Sequence, residues 1–428
     1  MIRLLLVLVL LCVLPACSSE GAAGKVQIMA SWTGQEREFF LEVLAEFEKK
    51  ENIDVEYVGT RALSQVLQSE VRQGTPPDIA VLPSPGELAA YARDGYLVPL
   101  EGIVASGQDE YGAQWLELEK VGLPGGGEKR FAVAVKADLK SAIWFNPRTF
   151  PGPRPQTGEE LLAWSRDIAA GGRTPWCMGL GATPDSGWPG TDWIEDVLLH
   201  QAGPDVYRQW AASKLPWTSD PVRQAWTTWS ELAGGDHVRG GPKSALLTDF
   251  GDAGRAMFGP QPGCLLDHQA SFITGVYRGY DTAPKATDDF DFFPFPSFAG
   301  QRPASVVSAD LAAVFTRTPQ AEKLISYLAS EQAQRIWPSK GGAFSTNRRV
   351  GSSEHRDEVT RKVADVLTSD QTLCFDASDL MPPKMRTAFY RAVLEHVNDP
   401  SQLTSLLEKL ETVRAGVPEE ERVEFPCR

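Results

Sequence analysis

Asp192 stands between two tryptophans in the run Ser186-Gly187-Trp188-Pro189-Gly190-Thr191-Asp192-Trp193-Ile194-Glu195-Asp196. These residue types suit one kind of chemistry, the non-covalent capture of a sugar. An indole face packs on the apolar C–H face of a sugar ring, and a neighbouring carboxylate accepts hydrogen bonds from paired hydroxyls. Gly187-Trp188-Pro189-Gly190 neither continues a helix nor makes a good strand, so it reads as a shaped loop. Asp192 and Glu195 have the spacing of a capping box. That predicts a helix starting at Asp192, with Ile194, Val197 and Leu198 on its apolar face. The same residues admit a purely structural reading, in which Asp192 is an N-cap and Trp188 and Trp193 are core side chains.

Other candidate groups are spread along the chain. Trp32 follows the first predicted strand, an odd place for a core ring, and is assigned to a cleft. Arg61 ends the second strand and offers a bidentate donor pair to adjacent hydroxyls, or else forms a surface ion pair. Asp249 and Asp252, in Thr248-Asp249-Phe250-Gly251-Asp252, read as ligand acceptors or as helix caps. His268 reads as a ligand contact or as a satisfied structural histidine. Asp310 lies in an apolar run, where a carboxylate requires a partner, either a sugar or an arginine. The five histidines are scattered without zinc spacing, so neither a metal nor a cofactor is expected. G-x-S-x-G, H-E-x-x-H and phosphate-loop motifs do not occur, which removes three catalytic chemistries. Two carboxylates flanking a glycosidic bond would make a glycoside hydrolase, and acids are abundant enough to keep that alternative open.

The elements that must position these groups follow from periodicity. Residues 25–30 alternate apolar and polar and predict a strand. Thr33 and Glu36 predict a capping box for a helix that buries Phe39, Phe40, Val43, Leu44 and Phe47. A strand over 53–58, a helix over 62–72, a strand over 78–82 and a helix over 85–93 come next. This alternation argues for a mainly parallel sheet with helices on its faces. Ligands of such sheets bind outside the carboxyl ends of the strands. Segments 31–34, 59–61 and 83–86 are therefore expected along one crevice edge. Strands are predicted over 131–135 and 141–146. Beyond Asn146-Pro147 the chain turns helical and tryptophan-rich, with Thr157 and Glu160 capping one helix and Trp226, Trp229 and Leu232 on one side of another. Residues 263–267, 290–296 and 305–315 read as extended, and 354–416 as mostly helical.

The amino terminus adds a location. Met1-Ile2-Arg3 precedes a nearly pure apolar run, residues 4–14, too short to span a bilayer comfortably. It ends in Leu14-Pro15-Ala16-Cys17. This resembles a bacterial lipobox, which implies cleavage before Cys17 and lipid on its thiol, or an ordinary secretory signal in which Cys17 is incidental. Residues 17–24 then form a tether. The expectation is a protein outside the cytoplasmic membrane, lipid-anchored at the cell surface or in the periplasm. A net charge of −14 without basic runs argues against nucleic acid as a partner. Of six cysteines, Cys177, Cys264, Cys374 and Cys427 remain after Cys12 leaves with the signal and Cys17 takes lipid. Two disulfides are expected in an oxidising compartment. Three connectivities are possible. Cys177–Cys264 with Cys374–Cys427 is preferred because each pair stays within one region, and four buried thiols are the alternative.

The ordered set of motifs resembles a known family. It comprises the lipobox, the Trp32-Thr33-Gly34 opening, Asp54-Val55 to Arg61, Pro76-Pro77-Asp78-Ile79-Ala80, Leu97-Val98-Pro99-Leu100, Trp144-Phe145-Asn146-Pro147 and Gly341-Gly342-Ala343-Phe344. These are similar to family 1 extracellular solute-binding proteins of ABC importers. The runs 189–196, 248–252 and 268–272 resemble the α-glucoside-binding subgroup. The resemblance implies an α/β, two-lobed periplasmic-binding-protein fold, with a ligand cleft between the lobes and a helical C-terminal region. It maps 1–16 to a signal peptide, 25–142 and 303–340 to lobe one, and 143–302 and 341–428 to lobe two. Hinges would lie near Ala142-Ile143 and Arg302-Pro303. It implies a monomer that captures an α-glucoside or other di- or oligosaccharide and delivers it to ABC permease subunits. Thr191 and Phe344 join the candidate ligand contacts on the strength of their motifs. Ser84 departs from the longer polar side chain common in relatives and puts one lobe-one contact in doubt. A lipoprotein concerned only with adhesion is a third reading.

Overall fold

The computed structural model describes residues 24–105, 110–425 and 427. Cys17 and the apolar leader lie outside the described residues. The first stretch of the described chain forms as its periodicity dictates: β1 (Lys25–Ala30), α1 (Gly34–Glu51), β2 (Asp54–Gly59), α2 (Leu63–Gln73), β3 (Ile79–Leu82) and α3 (Pro85–Arg93). Strand β1 pairs in parallel with both β2 and β3. A short helix, α4 (Ala113–Leu118), and the hairpin of β4 (Lys120–Gly122) and β5 (Glu128–Arg130) lead into β6 (Ala132–Leu139) and β7 (Ala142–Phe145).

Chain distant in sequence completes two sheets. The smaller holds β7, β8 (Trp176–Cys177), β9 (Leu266–His268) and β10 (Asp291–Pro294), in the order β10-β7-β9-β8. The larger takes in β11 (Ala304–Val314) and β12 (Thr372–Phe375). Strand β11 runs antiparallel to β3 over Leu311–Val314 and antiparallel to β6 over Val307–Ala313, while its start pairs in parallel with β12. Strands β6 and β7 are almost continuous, so residues 140–141 carry the chain from one sheet to the other. The Lys140 N–H donates to Val306 O at 2.8 Å, which ties that passage to β11.

The core follows the patterning. Phe40, Val43, Leu44 and Phe47 of α1 are buried against β1 and the helix Glu331–Lys340. Thr33 does not cap α1 through its side chain, contrary to the capping-box expectation. Its hydroxyl accepts from Arg61 Nε at 3.1 Å, and Glu36 turns to a buried lysine. The predicted Thr157 cap does form, with its Oγ1 accepting from the Glu160 N–H. The helices that follow are α5 (Gly158–Ala170) and α6 (Trp188–Ala202).

Helix α6 corrects the sequence reading. It begins at Trp188 rather than Asp192, with Gly187 as N-cap and Pro189 in its first turn. A proline there loses no helical bond, so the Gly-Trp-Pro-Gly run starts a helix instead of blocking one. Gly187 has φ +108°, and an added Cβ would collide with the Tyr390 carbonyl of the helix Pro383–Asn398. Asp192 therefore lies inside α6 and forms no capping box with Glu195. Residues 189–200 are all buried, as expected of a helix packed on every side.

Cys177–Cys264 and Cys374–Cys427 are the two disulfides, the preferred connectivity. The first joins the β8 and β9 region of the smaller sheet. The second fastens the tail to β12. Peptide mapping after alkylation without reductant should recover both linked pairs, and free thiols at all four positions would contradict this arrangement.

Candidate functional site

A cleft of about 440 Å³ opens beside the carboxyl ends of β1, β2 and β3 and runs to the start of α6. Its volume suits a small-molecule site. Ser31, Trp32, Arg61 and Pro83 form one edge, as the strand-end argument requires. The rest of the lining includes Trp188 and Asp192 of α6, Asp249 and Phe250, and Ser378, Asp379, Arg386 and Tyr390 of the tail. Gln65 Nε2 donates to Asp185 Oδ1 at 3.0 Å, and the Arg61 guanidinium lies 5.6 Å from the Phe250 ring centre. Both contacts cross from the α2 side to the α6 side.

Trp188 is half-buried, with its ring 5.0 Å from Phe250 and 6.1 Å from Phe272. The Lys140 ammonium lies 5.2 Å from its centre. Together these rings give the cleft an apolar wall. Asp249 lines the cleft and caps the short helix Phe250–Ala253 by accepting from the Gly251 N–H, as the helix-cap reading expects. Trp32 reaches the cleft although it is almost entirely buried, packed edge-on against Phe40 and Trp337.

The floor is ionic. Lys136, Asp138 and Lys140 occupy alternate positions along β6 and its extension, so all three project to one face. Lys136 Nζ meets Glu36 Oε1 at 2.9 Å, Asp138 Oδ2 at 3.2 Å and Asp310 Oδ2 at 3.8 Å. Asp310 thus finds a lysine as its partner, directly across the β6–β11 ladder. Burial pushes the Asp310 carboxyl up to about 6, against the pull of Lys136. Burial also disfavours charge on Lys136, but Asp138, Glu36 and Asp310 hold its pKa above the ordinary value.

Lys140 joins Asp192 Oδ2 at 3.0 Å and Asp376 Oδ2 at 2.9 Å. Burial pushes Asp192 up to about 8, with Lys140 opposing and Asp376 adding to the rise. Burial opposes ionisation of Asp376 as well. There the ammonium, the Ser378 hydroxyl and the Asp379 N–H prevail and hold the carboxyl below its usual range.

Four sequence-predicted contacts do not reach the cleft. Trp193 is buried with its ring 4.5 Å from both Trp176 and His268, because it points from α6 into the core. His268 is buried and its Nε2 bonds Asp196 Oδ2 at 2.6 Å, which ties the ring to the core side of α6 and away from the cleft. Thr191 is buried and donates to Trp188 O at 2.8 Å, closing the first turn of α6. Phe344 stacks on His355 and its carbonyl accepts from Ala137. Ser84, the doubtful position, is buried as the N-cap of α3 and donates to Asp379 O at 2.6 Å.

The strand expected over 131–135 continues to Leu139, and this extension brings Lys136, Asp138 and, just beyond it, Lys140 to the cleft. Charges at every second position of an apolar run were the available signal. Arg386 and Tyr390, four apart on the helix Pro383–Asn398, also line the cleft and carried no motif.

Three comparisons bear on this cleft. The family described as bacterial extracellular solute-binding protein matches residues 32–335. The osmoprotective compounds-binding protein GgtB of Synechocystis sp. is 32% identical over 93% of this chain and 96% of its own length. The alpha-glucosides-binding periplasmic protein AglE of Rhizobium meliloti is 31% identical over 87% of this chain and 83% of its own. Among solved structures, the solute receptor AcbH, with its preference for β-D-galactopyranose, superposes with a TM-score of 0.78 at 17% identity. The superposition covers 91% of this chain and 98% of AcbH. That likeness carries the two-lobed binding-protein fold.

Proposed function

Because the chain belongs to the bacterial extracellular solute-binding proteins, we propose that its cleft holds a carbohydrate for delivery to the permease of an ABC importer. The observation that carries this reading is the wall of Trp188, Phe250 and Phe272 set beside Asp192, Asp249 and Asp310. Stacking surfaces next to fixed acceptors are what a polyhydroxylated ring needs. AglE binds α-glucosides and GgtB binds osmoprotective compounds, and the first of these favours an α-glucoside as the ligand. The proposed contacts are Trp32, Arg61, Trp188, Asp192, Asp249 and Asp310. The family is one of binding proteins, which supports capture over hydrolysis.

The proposed partition puts 25–142 with 303–340 in lobe one and 143–302 with 341–428 in lobe two, with β12 reaching across to the larger sheet. Residues 140–143 and the start of β11 would act as hinges. A thermal-shift screen of α-linked disaccharides tests the reading. A ligand at 100 times its Kd should raise stability by about 2.7 kcal/mol. Release of monosaccharide on prolonged incubation would point to a hydrolase instead, and no response to any sugar would remove the reading.

We place the protein, as a monomer, on the outer side of the cytoplasmic membrane, held by lipid on Cys17. Among the described residues no helix is long and apolar enough to cross a membrane. Cys17→Ser should move the protein from the membrane fraction to the soluble fraction with sugar binding intact. Retention in the membrane fraction would mean that the anchor lies elsewhere.

A further inference from the structure

Five cations line the cleft: Arg61, Lys136, Lys140, Arg255 and Arg386. Each already has an acidic partner. Lys136 is shared by Glu36, Asp138 and Asp310, and Lys140 by Asp192 and Asp376. Arg386 meets Glu87 at 2.9 Å, Arg255 meets Asp252 at 2.8 Å, and Arg61 lies 3.7 Å from Glu36. Eight carboxyl groups line the same space, and Glu87 and Asp376, outside the lining, pair with Arg386 and Lys140. Among the described residues, Asp185 and Asp249 have only neutral hydrogen-bond partners, Gln65 and the Gly251 N–H.

We propose that the cleft selects its saccharide by charge, accepting a neutral or ammonium-bearing sugar and refusing one that carries a carboxylate or a phosphate. The proposal rests on the reading of the cleft as a sugar site. An anionic group needs a cation or a fork of donors with no acceptor already on it. Every cation here lies within salt-bridge reach of an acid, and even with Asp192 and Asp379 protonated the remaining carboxylates, Glu87 and Asp376 included, outnumber the cations, so an incoming anion meets like charge that costs affinity. A hydroxyl only donates into that surplus. An amino group in its place keeps the size, keeps the donors and adds a favourable charge. The lysines therefore serve to hold the carboxylates in position rather than to receive an anion.

Titration calorimetry on the intact protein tests this with four probes: an α-linked glucose disaccharide, its 6-phosphate, its uronic acid counterpart and its 2-amino counterpart. The two anions should bind roughly tenfold or more weakly than the neutral sugar, a gap of about 1.4 kcal/mol or more. The amino sugar should bind at least as tightly as the neutral one. High salt should narrow the gap, since screening weakens charge effects. Asp310→Asn, which takes one carboxylate from Lys136, should narrow it too.

An anionic sugar that binds as well as the neutral one overturns the proposal, as does an amino sugar that binds worse. A gap indifferent to both salt and Asp310→Asn overturns it by assigning the discrimination to shape. Failure of all four sugars to bind would instead sink the sugar-site reading, and this proposal with it.

Discussion

Lys140→Met is expected to cost about 3–5 kcal/mol of folding stability, the penalty for removing one partner of a buried ion pair. Lys140 is 8% exposed and is the only cation within salt-bridge reach of Asp192 and Asp376 among the described residues. Those two carboxylates come from segments far apart in sequence, α6 and the turn after β12. The ammonium therefore joins the start of α6 to the tail at the point where the chain passes between the sheets. Methionine keeps the length and apolar stem but leaves two carboxyl groups buried without a counter-charge. An exposed pair would lose only about 0–1 kcal/mol, so urea denaturation separates the cases.

The pH dependence provides a second check. Asp192 has its folded pKa raised from 3.8 to about 8, mainly by burial. A raised carboxyl binds its proton more tightly in the folded state. Its contribution is fully present below the unfolded value and is lost as pH rises through the folded one. In Lys140→Met the opposing ammonium is gone, so Asp192 and Asp376 should hold protons to still higher pH. The variant should lose most stability near pH 8 and recover part of it towards about pH 5. A deficit of the same size at both ends of that window would mean that packing, not charge, is what Lys140 supplies.

The legible parts of this molecule were those with a short period or a fixed chemical meaning. The βα alternation from residue 25 to 93 gave the parallel pairing of β1 with β2 and β3, and with it the crevice edge at Trp32, Arg61 and Pro83. Cys177, Cys264, Cys374 and Cys427 allowed three connectivities, and the preferred one is the one that forms. What could not be read was orientation. Trp188 and Trp193 sit five residues apart on one helix, and one lines the cleft while the other is core. Once α6 begins at Trp188 instead of Asp192, the two rings must point to different sides, because five residues advance a 3.6-residue helix by more than one turn. The start of α6 is set by the close approach of Gly187 to Tyr390, a contact across two hundred residues of chain that no local pattern contains. Asp192 moved from a cap to an ion pair for the same reason. His268 shows a related limit, since its partner Asp196 is close in space and distant in sequence.

The two tryptophans therefore give a sharp contrast. Trp193→Ala is expected to cost about 3–5 kcal/mol of stability, the usual consequence of emptying a large core site. Its ring fills the space between Trp176, His268 and Phe295, and only 2% of the residue is exposed. It touches no part of the cleft, so whatever protein remains folded should bind sugar with nearly unchanged affinity. Trp188→Ala should do the reverse. Its ring is half-buried at the cleft wall, and losing it removes a stacking face worth about 1–3 kcal/mol by analogy with bases stacked on aromatic side chains. Affinity should then fall roughly tenfold or more, while the unliganded protein loses less stability than Trp193→Ala does. The Lys140 ammonium packed on the Trp188 ring sharpens the comparison. A cation over one part of the indole leaves the ring ordered before the sugar arrives, so little entropy is lost in fixing it on binding. Calorimetric affinity measured beside urea denaturation of the unliganded variants decides the matter. If Trp188→Ala binds as the parent does, the sugar does not stack on α6, and the aromatic wall reduces to Phe250 and Phe272. If Trp193→Ala instead loses affinity while keeping its stability, the core placement of that ring is wrong.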